Sequence, residues 1–480
     1  MDKRDRAPIG IIFLIVLSIR LYFSLTTSNF DPSAYFDVRM IEYIAEKNIP
    51  MTQDALFAGD RSIIFSPLFH YILAVFTWIF PLDLVLKILP QLFTACIPVI
   101  VYLIVKTITQ KRSASILSAI LASSIPLLYE EMYKVSPITL AAPLIFLILY
   151  VYIHVEKKLY DFQFVLLVAA LSLVHPSAII LIGGLLGYLL ISYLEGMTIE
   201  KGEIELILFS TFLYLWVQFL LYKRVFAEIS LAKATNVNPL IAIGVVPLIL
   251  GIMCIYTYLL REKNKQVYLY VSIAISTALF TITRLIPVNT GYIYGGIVLC
   301  ILSGIAYAQF QEYLKKTKFA QYTRITNVLL YVIIIGTMVI PSIYSTSAAQ
   351  ERTVQEPLQE ALLWLKENTP EETVVLATPE EGYIIASIAQ RQIIADSTTL
   401  LVPDALQRIH STDRIYSTQF PIEAISLLNE YDIEYILFSP AALRRYGIST
   451  LAYQNQDCVK QVFSKENVKV YRSRCQLSVI

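Results

Sequence analysis

Long apolar segments alternate with short polar ones along the first 345 residues of this 480-residue chain. The apolar runs are roughly 17–22 residues long, which is the length that an α-helix needs to cross the hydrocarbon core of a bilayer. The pattern therefore predicts a polytopic α-helical membrane protein with about eleven transmembrane helices. The predicted spans cover residues 9–26, 86–105, 113–128, 137–154, 162–175, 178–194, 204–222, 240–260, 267–283, 290–309 and 326–343.

The basic residues between these runs predict the orientation of the helices. Lysine and arginine concentrate on the cytoplasmic side of membrane proteins. Placing the main basic clusters inside makes the N-terminus cytoplasmic and the C-terminus extracytoplasmic. The pair Lys223 and Arg224 then lies outside at the end of a span, where anionic lipid can neutralise it. The clusters are Lys3/Arg4/Arg6, Lys106/Lys111/Arg112, Lys157/Lys158, Arg261/Lys263/Lys265 and Lys315/Lys316/Lys318/Arg324.

The apolar run at residues 65–80 is too short for a crossing and ends at Pro81. Counting it as a span would move Lys106, Lys111 and Arg112 outside, so it is predicted to lie on the outer leaflet. Residues 27–85 then form the first external loop. The first run has no small-residue cleavage site after it, and we interpret it as a retained span and not as a signal peptide.

Residues 346–480 have a different composition and are expected to form an extracytoplasmic α/β domain, after a transmembrane domain at residues 1–345. Helical periodicity alternates with short β-branched runs, which favours a mostly parallel sheet flanked by helices. The last part, VKQVFSKENVKVYRSR, is typical of a hairpin. Cys458 and Cys475 flank it, so a disulfide can join its ends, although sequence alone does not supply the geometry.

Composition supports a membrane protein and adds little about partners. The chain is 56% hydrophobic and only 16% charged, whereas soluble domains are about a quarter charged. Its formal net charge of +1 gives no indication of a nucleic-acid partner. Without a CxxC pair or a His cluster, a structural zinc site is not expected.

Acidic residues in the first external loop are the main candidates for chemistry. An acidic group beside a membrane helix is costly unless it has a function, and Asp31 follows the first span directly. Asp31 is the preferred catalytic carboxylate, and its alternative role is an N-cap, since Asp-Pro is a good helix start. Asp37 is the rival; it can also be a solvated residue that pairs with Arg39 or Lys47.

Further candidates lie at the outer ends of the predicted spans. Glu130 and Glu131 with Asp31 would offer oxygen ligands to Mg²⁺ or Mn²⁺, unless the pair is an ordinary charged helix end. Arg284 suits a donor phosphate because guanidinium binds phosphate through two hydrogen bonds, but interfacial snorkelling explains it equally. His70 and His175 can touch phosphate or sugar, or can be plain interfacial aromatic residues.

Three segments resemble membrane glycosyltransferases of the GT-C superfamily, above all the oligosaccharyltransferase catalytic subunit and its archaeal relatives. FDPSAYFDVRMIEYIAEKNIP…FSPLFHYILAVF is similar to their first external loop, and TRLIPVNTGYIYGGIVLCILSGIAYA resembles the late span whose arginine, here Arg284, contacts the lipid-linked phosphate. TPEEGYIIASIAQRQIIADSTT resembles their WWDYGYQI segment with its subsequent Ala-x-Arg and Asp-Asn-x-Thr motifs. The residues in step with these motifs are Gly382, Tyr383, Ile385, Arg391, Asp396 and Thr398 or Thr399.

The chain departs from this family at two motifs. The Trp-Trp-Asp triplet that reads the sequon hydroxyl is replaced by Thr378-Pro379-Glu380, and the second acidic motif is absent in its usual form, with Glu130 and Glu131 near its place. The resemblance still implies that Glu380, Glu381 and Tyr383 face the acceptor. It does not imply glycosylation of Asn-x-Ser/Thr sequons.

The function expected from the sequence is sugar transfer from a polyprenyl phosphate or diphosphate carrier to a glycan, lipid or protein acceptor at the outer membrane face. One alternative is a monosaccharide transferase of the protein-mannosyltransferase type, which tends to work without a metal. Another is a non-enzymatic transporter or flippase for the same lipids, although no pair of corresponding broken spans indicates inverted repeats. The identity of the sugar, the length of the carrier and the oligomeric state are not encoded in any recognisable motif.

Overall fold

A computed structural model describes residues 3–154, 158–222, 238–318, 323–397, 399, 402, 404–454 and 457–475. The predicted basic residues Lys157, Lys223 and Arg224 and the motif position Thr398 lie outside the described residues. The chain forms two compact units. The helical unit comprises Met1–Thr27 and Phe65–Ala349, and the α/β unit comprises Ser28–Ile64 and Gln350–Ile480.

The described helices and strands follow in chain order. The helices are α1 (Lys3–Thr26), α2 (Tyr35–Lys47), α3 (Leu68–Thr77), α4 (Leu82–Thr109), α5 (Arg112–Ser123), α6 (Pro126–Glu130), α7 (Ile138–Tyr152), α8 (Lys158–Val174), α9 (Ile179–Leu194), α10 (Lys201–Tyr222), α11 (Pro239–Ala242), α12 (Val245–Leu260), α13 (Lys265–Ile282), α14 (Val288–Lys315), α15 (Thr323–Ile334), α16 (Ile340–Glu351), α17 (Glu356–Asn368), α18 (Gly382–Ile384), α19 (Ala405–Ser417), α20 (Pro421–Glu430) and α21 (Pro440–Tyr446). The strands are β1 (Gln53–Asp54), β2 (Arg61–Ser62), β3 (Val374–Leu376), β4 (Gln392–Ile393), β5 (Ile433–Phe438), β6 (Val459–Lys465) and β7 (Val468–Ser473). Short 3-10 turns occur at Pro32–Ala34, Glu131–Tyr133 and Pro176–Ala178, and π-helical turns at Ile335–Val339 and Ile385–Ala389.

The helical unit confirms a multi-pass membrane protein but does not confirm eleven crossings. Within the described residues, seven helical segments are long and apolar enough to cross a membrane, and the bent pair α5–α6 is an eighth candidate. All eleven predicted spans coincide with apolar helices, but α7, α8 and α12 are shorter than the other candidates. At 1.5 Å per residue, the 15 residues of α7 reach only about 22 Å, against a hydrocarbon core of about 30 Å. The short run at residues 65–80 forms helix α3.

Helix α14 is the central helix of this unit, since 83% of its most apolar window is buried. Small residues let it approach its neighbours. A Cβ atom at Gly304 would lie 1.8 Å from Ser118 Oγ on α5, and one at Gly291 would lie 1.9 Å from Thr281 Oγ1 on α13. Close approach through small residues is how helices associate in lipid, where hydrophobic exclusion cannot drive them together.

The α/β unit contains a five-stranded sheet with the order β4-β3-β5-β7-β6. Strands β4, β3 and β5 are parallel, as predicted, while β7 and β6 form the predicted hairpin and make the sheet mixed. Cys458 and Cys475 form a disulfide across the hairpin ends, 17 residues apart. Closing a loop of this size contributes about 3 kcal/mol by constraining the unfolded chain.

Residues 28–64, which belong to the predicted first external loop, pack within this same unit. They contribute helix α2 and the short antiparallel pair β1–β2. The backbone around Phe57 then pairs with β4 at the sheet edge, because the Ala58 amide donates to the Ile393 carbonyl and the Ile393 amide donates to the Leu56 carbonyl, each at 2.8 Å. The loop thus extends the sheet.

Labelling of single cysteines tests the predicted orientation. In a background with Cys96, Cys254 and Cys300 replaced, a cysteine at exposed position Asp60 should react with an impermeant maleimide in intact cells. A cysteine at exposed position Gln110, between α4 and α5, should react only after permeabilisation. Reaction at position 110 in intact cells would show that residues 65–80 cross the membrane and that the predicted orientation is wrong.

Candidate active site

Asp31 lies in the turn that enters helix α2. Its backbone is extended, with φ −60° and ψ 141°, and Pro32 follows it at the first position of the 3-10 turn. The Asp31 Oδ1 atom accepts hydrogen bonds from the Ser33 amide at 3.0 Å and from the Ser33 hydroxyl at 2.6 Å. Asp31 therefore caps this turn, as the alternative interpretation predicted. Its Oδ2 atom lies 4.0 Å from Arg352 Nε, and the catalytic role of Asp31 stays a prediction.

The two motif segments of the α/β unit meet although they are far apart in sequence. Phe36, directly before Asp37 on α2, packs against Tyr383 on α18 with ring centroids 5.4 Å apart. Asp37 is half-buried in the first turn of α2. Arg39, one of the two partners considered for Asp37, forms an ion pair with Asp54 at 2.6 Å.

A buried ionic cluster joins the loop to the sheet. Arg61 binds Asp396 through both Nη atoms, with Nη1 2.8 Å from Oδ1, and its Nη2 also lies 3.0 Å from Asp54 Oδ2. The side chains of Asp54 and Asp396 are fully buried. Burial opposes ionisation of Asp54, but hydrogen bonds and charge from Arg39 and Arg61 outweigh it and lower the pKa of this carboxyl group.

Aromatic contacts reinforce this cluster. The guanidinium carbon of Arg61 lies 4.4 Å from the centroid of the Phe57 ring, and that of Arg408 lies 4.9 Å from the same ring. Arg408 also donates from Nη1 to the Ala58 carbonyl at 2.9 Å. The Phe57 ring thus contacts two cations, which are attracted to the electron-rich face of an aromatic ring.

The Thr378-Pro379-Glu380 triplet follows strand β3, and its first two residues are buried. The Thr378 hydroxyl donates to Glu381 Oε2 at 2.9 Å. Glu381 is only 3% exposed, and burial raises the pKa of its carboxyl group. Glu380 is exposed and forms an ion pair with Arg445 at 2.5 Å.

Tyr383 is also buried, against Phe36. The structure therefore places Glu380 at the surface and encloses Glu381 and Tyr383 in the α/β unit. Their acceptor-facing role stays a prediction.

Arg391, which matches the family pattern, binds the end of helix α17. It donates to the Thr369 hydroxyl at 2.7 Å, to the Lys366 carbonyl at 2.6 Å and to the Gln390 carbonyl at 2.9 Å. Carbonyls at a helix C-terminus lack intrahelical partners and attract cations. Arg391 thus supports the fold next to the motif segment, a role that the family pattern alone does not reveal.

In the helical unit, Glu130 is the last residue of α6, and Glu131 is the first residue of the 3-10 turn that follows it. Glu131 is buried and forms an ion pair with Lys134 at 2.7 Å, whereas Glu130 is half-buried.

The buried guanidinium of Arg20 on α1 donates to the Leu128 carbonyl at 3.2 Å and to Gln91 Oε1 at 3.0 Å. Arg20 was missed by the sequence analysis; its signal is a single charge inside the apolar run IVLSIRLYF.

Arg284 lies in the turn between α13 and α14. It has a left-handed backbone with φ 58°, and its side chain is exposed. It forms no ion pair with any other residue that the structure describes. This leaves its positive charge available to an anion.

His175 caps the turn before α9 and takes part in a hydrogen-bond chain. Its Nδ1 accepts from the Ser177 amide at 3.1 Å, which assigns the ring proton to Nε2. The Ser177 hydroxyl lies 2.7 Å from Nδ1 and 2.8 Å from the Tyr294 hydroxyl. His70 on α3 is 1% exposed and packs edge-on against Phe65 and Phe69.

The predicted metal ligands have protein partners. The described residues contain no group of three or more His, Cys, Asp and Glu side chains that could hold a metal ion. Glu131 is bound by Lys134, and Asp31 is bound by Ser33 and lies beside Arg352. These residues do not fit a resident metal site as they are arranged, and no chemical step is assigned to one.

Comparison with solved structures identifies proteins of the same fold. The Archaeoglobus fulgidus oligosaccharyltransferase in complex with Zn and sulfate matches 89% of this chain and 67% of its own, with a TM-score of 0.66 at 13% identity. AglB from the same organism, in complex with an inhibitory peptide and a dolichol-phosphate, matches 88% of this chain and 69% of its own, with a TM-score of 0.65 at 12% identity.

ArnT from Cupriavidus metallidurans bound to undecaprenyl phosphate matches 96% of this chain and 97% of its own, with a TM-score of 0.53 at 11% identity. No protein-family model matches the sequence, and no curated protein matches it. The GT-C-like fold that the sequence predicted is therefore confirmed by structure.

Breaking the buried Arg61–Asp396 pair tests whether it holds the loop on the sheet. Asp396→Asn leaves Arg61 poorly compensated in a buried site and should cost about 3–5 kcal/mol. The purified protein should therefore melt at a clearly lower temperature. Arg61→Met combined with Asp396→Leu should lose less stability than the two single variants together, because neither charge of this pair is then left buried without the other, and Asp54 keeps its ion pair with Arg39.

Glu360→Gln is the matched control, since it removes a partly exposed ion pair with Lys465 in the same unit. It should leave the melting temperature nearly unchanged. If Asp396→Asn melts like the wild type, the ion pair does not hold the two segments together.

Proposed function

We propose that this protein is a membrane glycosyltransferase that moves a sugar from a polyprenyl phosphate or diphosphate carrier to an acceptor at the outer membrane face. One observation carries the proposal. In a chain with the fold of archaeal oligosaccharyltransferases, the Asp31 loop and the GYIIAS segment pack together in one compact unit, and Phe36 contacts Tyr383. Lipid phosphates bound to AglB and ArnT support a carrier of that class.

The proposed reaction needs a carboxylate at the acceptor and positive charge at the leaving phosphate. The acceptor oxygen or nitrogen attacks the anomeric carbon of the sugar and forms the new bond there. The bond between that carbon and the phosphate oxygen breaks, and the phosphate leaves with the electron pair. Asp31 positions the acceptor and takes its proton.

Arg284 and His175 are the donor-phosphate residues that the geometry supports best. Arg284 is exposed and forms no ion pair among the described residues, so its guanidinium can bind phosphate through two hydrogen bonds. The neutral imidazole of His175 offers its Nε2 hydrogen as a donor. His70 packs between two phenylalanine rings and is the weaker candidate.

Monosaccharide transfer is the second candidate, and the similarity to ArnT supports it. The matched region covers 96% of this chain and 97% of the ArnT structure that contains undecaprenyl phosphate, with a TM-score of 0.53. A donor with a single sugar and a monophosphate carrier fits this class. Transfer that resists EDTA would favour it, and transfer that requires Mg²⁺ or Mn²⁺ would favour the oligosaccharyltransferase type.

Asp31→Asn tests the proposed catalytic carboxylate. The change removes the charge but little volume, so transfer from a labelled polyprenyl-linked sugar should be lost while expression and melting temperature stay near those of the wild type. Asp60→Asn in the same loop is the control, because Asp60 is exposed and Asn tolerates its left-handed backbone.

The control should keep full activity. Activity near wild type in Asp31→Asn would move the role to Asp37 or remove it from this loop. Movement of the lipid across the bilayer without any sugar transfer by the wild type would instead support the flippase alternative.

The acceptor is proposed to be chosen without a sequon pocket. Thr378 and Pro379 are buried, and the Thr378 hydroxyl is bound to Glu381, so they offer no surface that grips a Ser or Thr hydroxyl. A site built for a hydroxyl rejects analogues without it by several orders of magnitude. We therefore expect peptides containing Asn-x-Thr and Asn-x-Ala to react equally or not at all. Efficient modification of Asn-x-Thr alone, measured by mass spectrometry, would contradict this expectation.

A further inference from the structure

The two carboxylate oxygens of Asp31 have different surroundings. Oδ1 accepts two hydrogen bonds from Ser33, at 3.0 Å from the amide and 2.6 Å from the hydroxyl. A carboxylate oxygen has about two lone-pair sites, so Oδ1 has little capacity left for a substrate. Oδ2 lies 4.0 Å from Arg352 Nε, which is longer than a direct hydrogen bond. Oδ2 is therefore the oxygen that can receive an acceptor group.

The segment that carries Arg352 is tied directly to the turn that carries Asp31. The Val354 amide donates to the Phe30 carbonyl at 3.0 Å. Asn29 Nδ2 donates to the Val354 carbonyl and to Gln359 Oε1, both at 2.9 Å. These three hydrogen bonds hold the chain just before Asp31 against the chain just after Arg352, so the fold keeps the two residues close to each other.

Stability does not account for this pair. The Arg352 side chain is 47% exposed and that of Asp31 is 14% exposed. Ion pairs with an exposed partner contribute little to folding, because water screens them and the side chains lose entropy. A cation beside a carboxylate has a clearer effect on chemistry, since it restricts the orientation of the carboxylate and balances its charge as a substrate approaches.

We propose that Arg352 is a positioning residue that holds Asp31 Oδ2 toward the acceptor, a role that rests on the proposed function. Ser33 fixes Oδ1, Arg352 orients Oδ2, and the acceptor proton moves to Oδ2 as the new glycosidic bond forms at the anomeric carbon. Arg352 acts through Asp31 and is not assigned a bond to the sugar. It directly follows the last residue of helix α16, Glu351, so the cation is held where the last apolar helix ends.

The test compares Arg352→Gln, Arg352→Lys and Arg444→Gln in the purified full-length protein. Arg444 is the matched control, because it is exposed in the same unit and forms no ion pair with any described residue. The substrates are synthetic short-chain polyprenyl phosphate and diphosphate sugars with labelled sugar, offered with lipid, glycan and peptide acceptors. The wild type is assayed first and selects the donor and acceptor pair.

Arg352→Gln should lower kcat on the order of 10- to 100-fold, as expected when a reacting group is misplaced, with KM for donor and acceptor unchanged. Arg352→Lys should recover a large part of kcat, because it restores the charge. Arg444→Gln should behave like the wild type. In an Asp31→Glu background, which already displaces the carboxylate, Arg352→Gln should cause a much smaller loss.

Unchanged kcat in Arg352→Gln overturns the inference, and so does a raised donor KM with kcat intact, which would make Arg352 a phosphate ligand. A loss of equal size in the Asp31→Glu background also overturns it. Should Arg352→Gln melt at a lower temperature, Arg352→Met, which keeps an unbranched apolar stem without the charge, decides by the same criteria. A wild type that transfers no sugar from any donor would refute the proposed function itself.

Discussion

The Arg61–Asp396 ion pair is the interaction on which the α/β unit depends most. It joins residues 335 positions apart in sequence, inside a region where both side chains are almost fully excluded from water. Removing one member of a buried ion pair costs several kcal/mol, because the charge that stays buried is less well compensated. The loop at residues 28–64 and the sheet that begins at Val374 are therefore obligatory partners. The Phe57 backbone, paired with β4, then makes the loop a further edge of that sheet.

The fixed loop at residues 28–64 also holds Asp31 in a defined position. Asp31 lies in a turn whose two preceding residues, Asn29 and Phe30, are hydrogen-bonded to the start of the C-terminal segment. Asp31 and the cation beside it, Arg352, thus lie far apart in the sequence but belong to one compact unit. Preorganised groups of this kind need no rearrangement as charge develops in a reaction. The capping role of Asp31 and its proposed catalytic role are compatible, because capping uses one oxygen and leaves the other.

Local pattern was enough to predict most elements. Each span predicted from an apolar run coincides with an apolar helix, and the β-branched runs correctly predicted β3, β4, β5 and the hairpin. Both signals are readable because they depend on residues close in sequence. Helix lengths were not predictable, since they depend on where turns such as Ile125-Pro126 bend the chain. Helix α19 was missed because ALQRIHSTDRIYS is polar overall, and α21 was missed because PAALRRY is only seven residues long. Pairings such as Arg61 with Asp396, or Arg20 with Leu128, are set only by tertiary structure.

The side chains in the turn after β3 bind other residues of the α/β unit. Indole rings at this place would have to face the surface to read a substrate, whereas Thr378 and Pro379 are enclosed and Thr378 binds Glu381 within the unit. The exposed residue, Glu380, is bound by Arg445, which also contacts Asp413. These polar side chains are thus engaged in holding α21 and α19 beside the sheet. Under the proposed function, selectivity for the acceptor comes from other surfaces, and those surfaces deliver the hydroxyl or amine on which the Asp31 carboxylate is proposed to act.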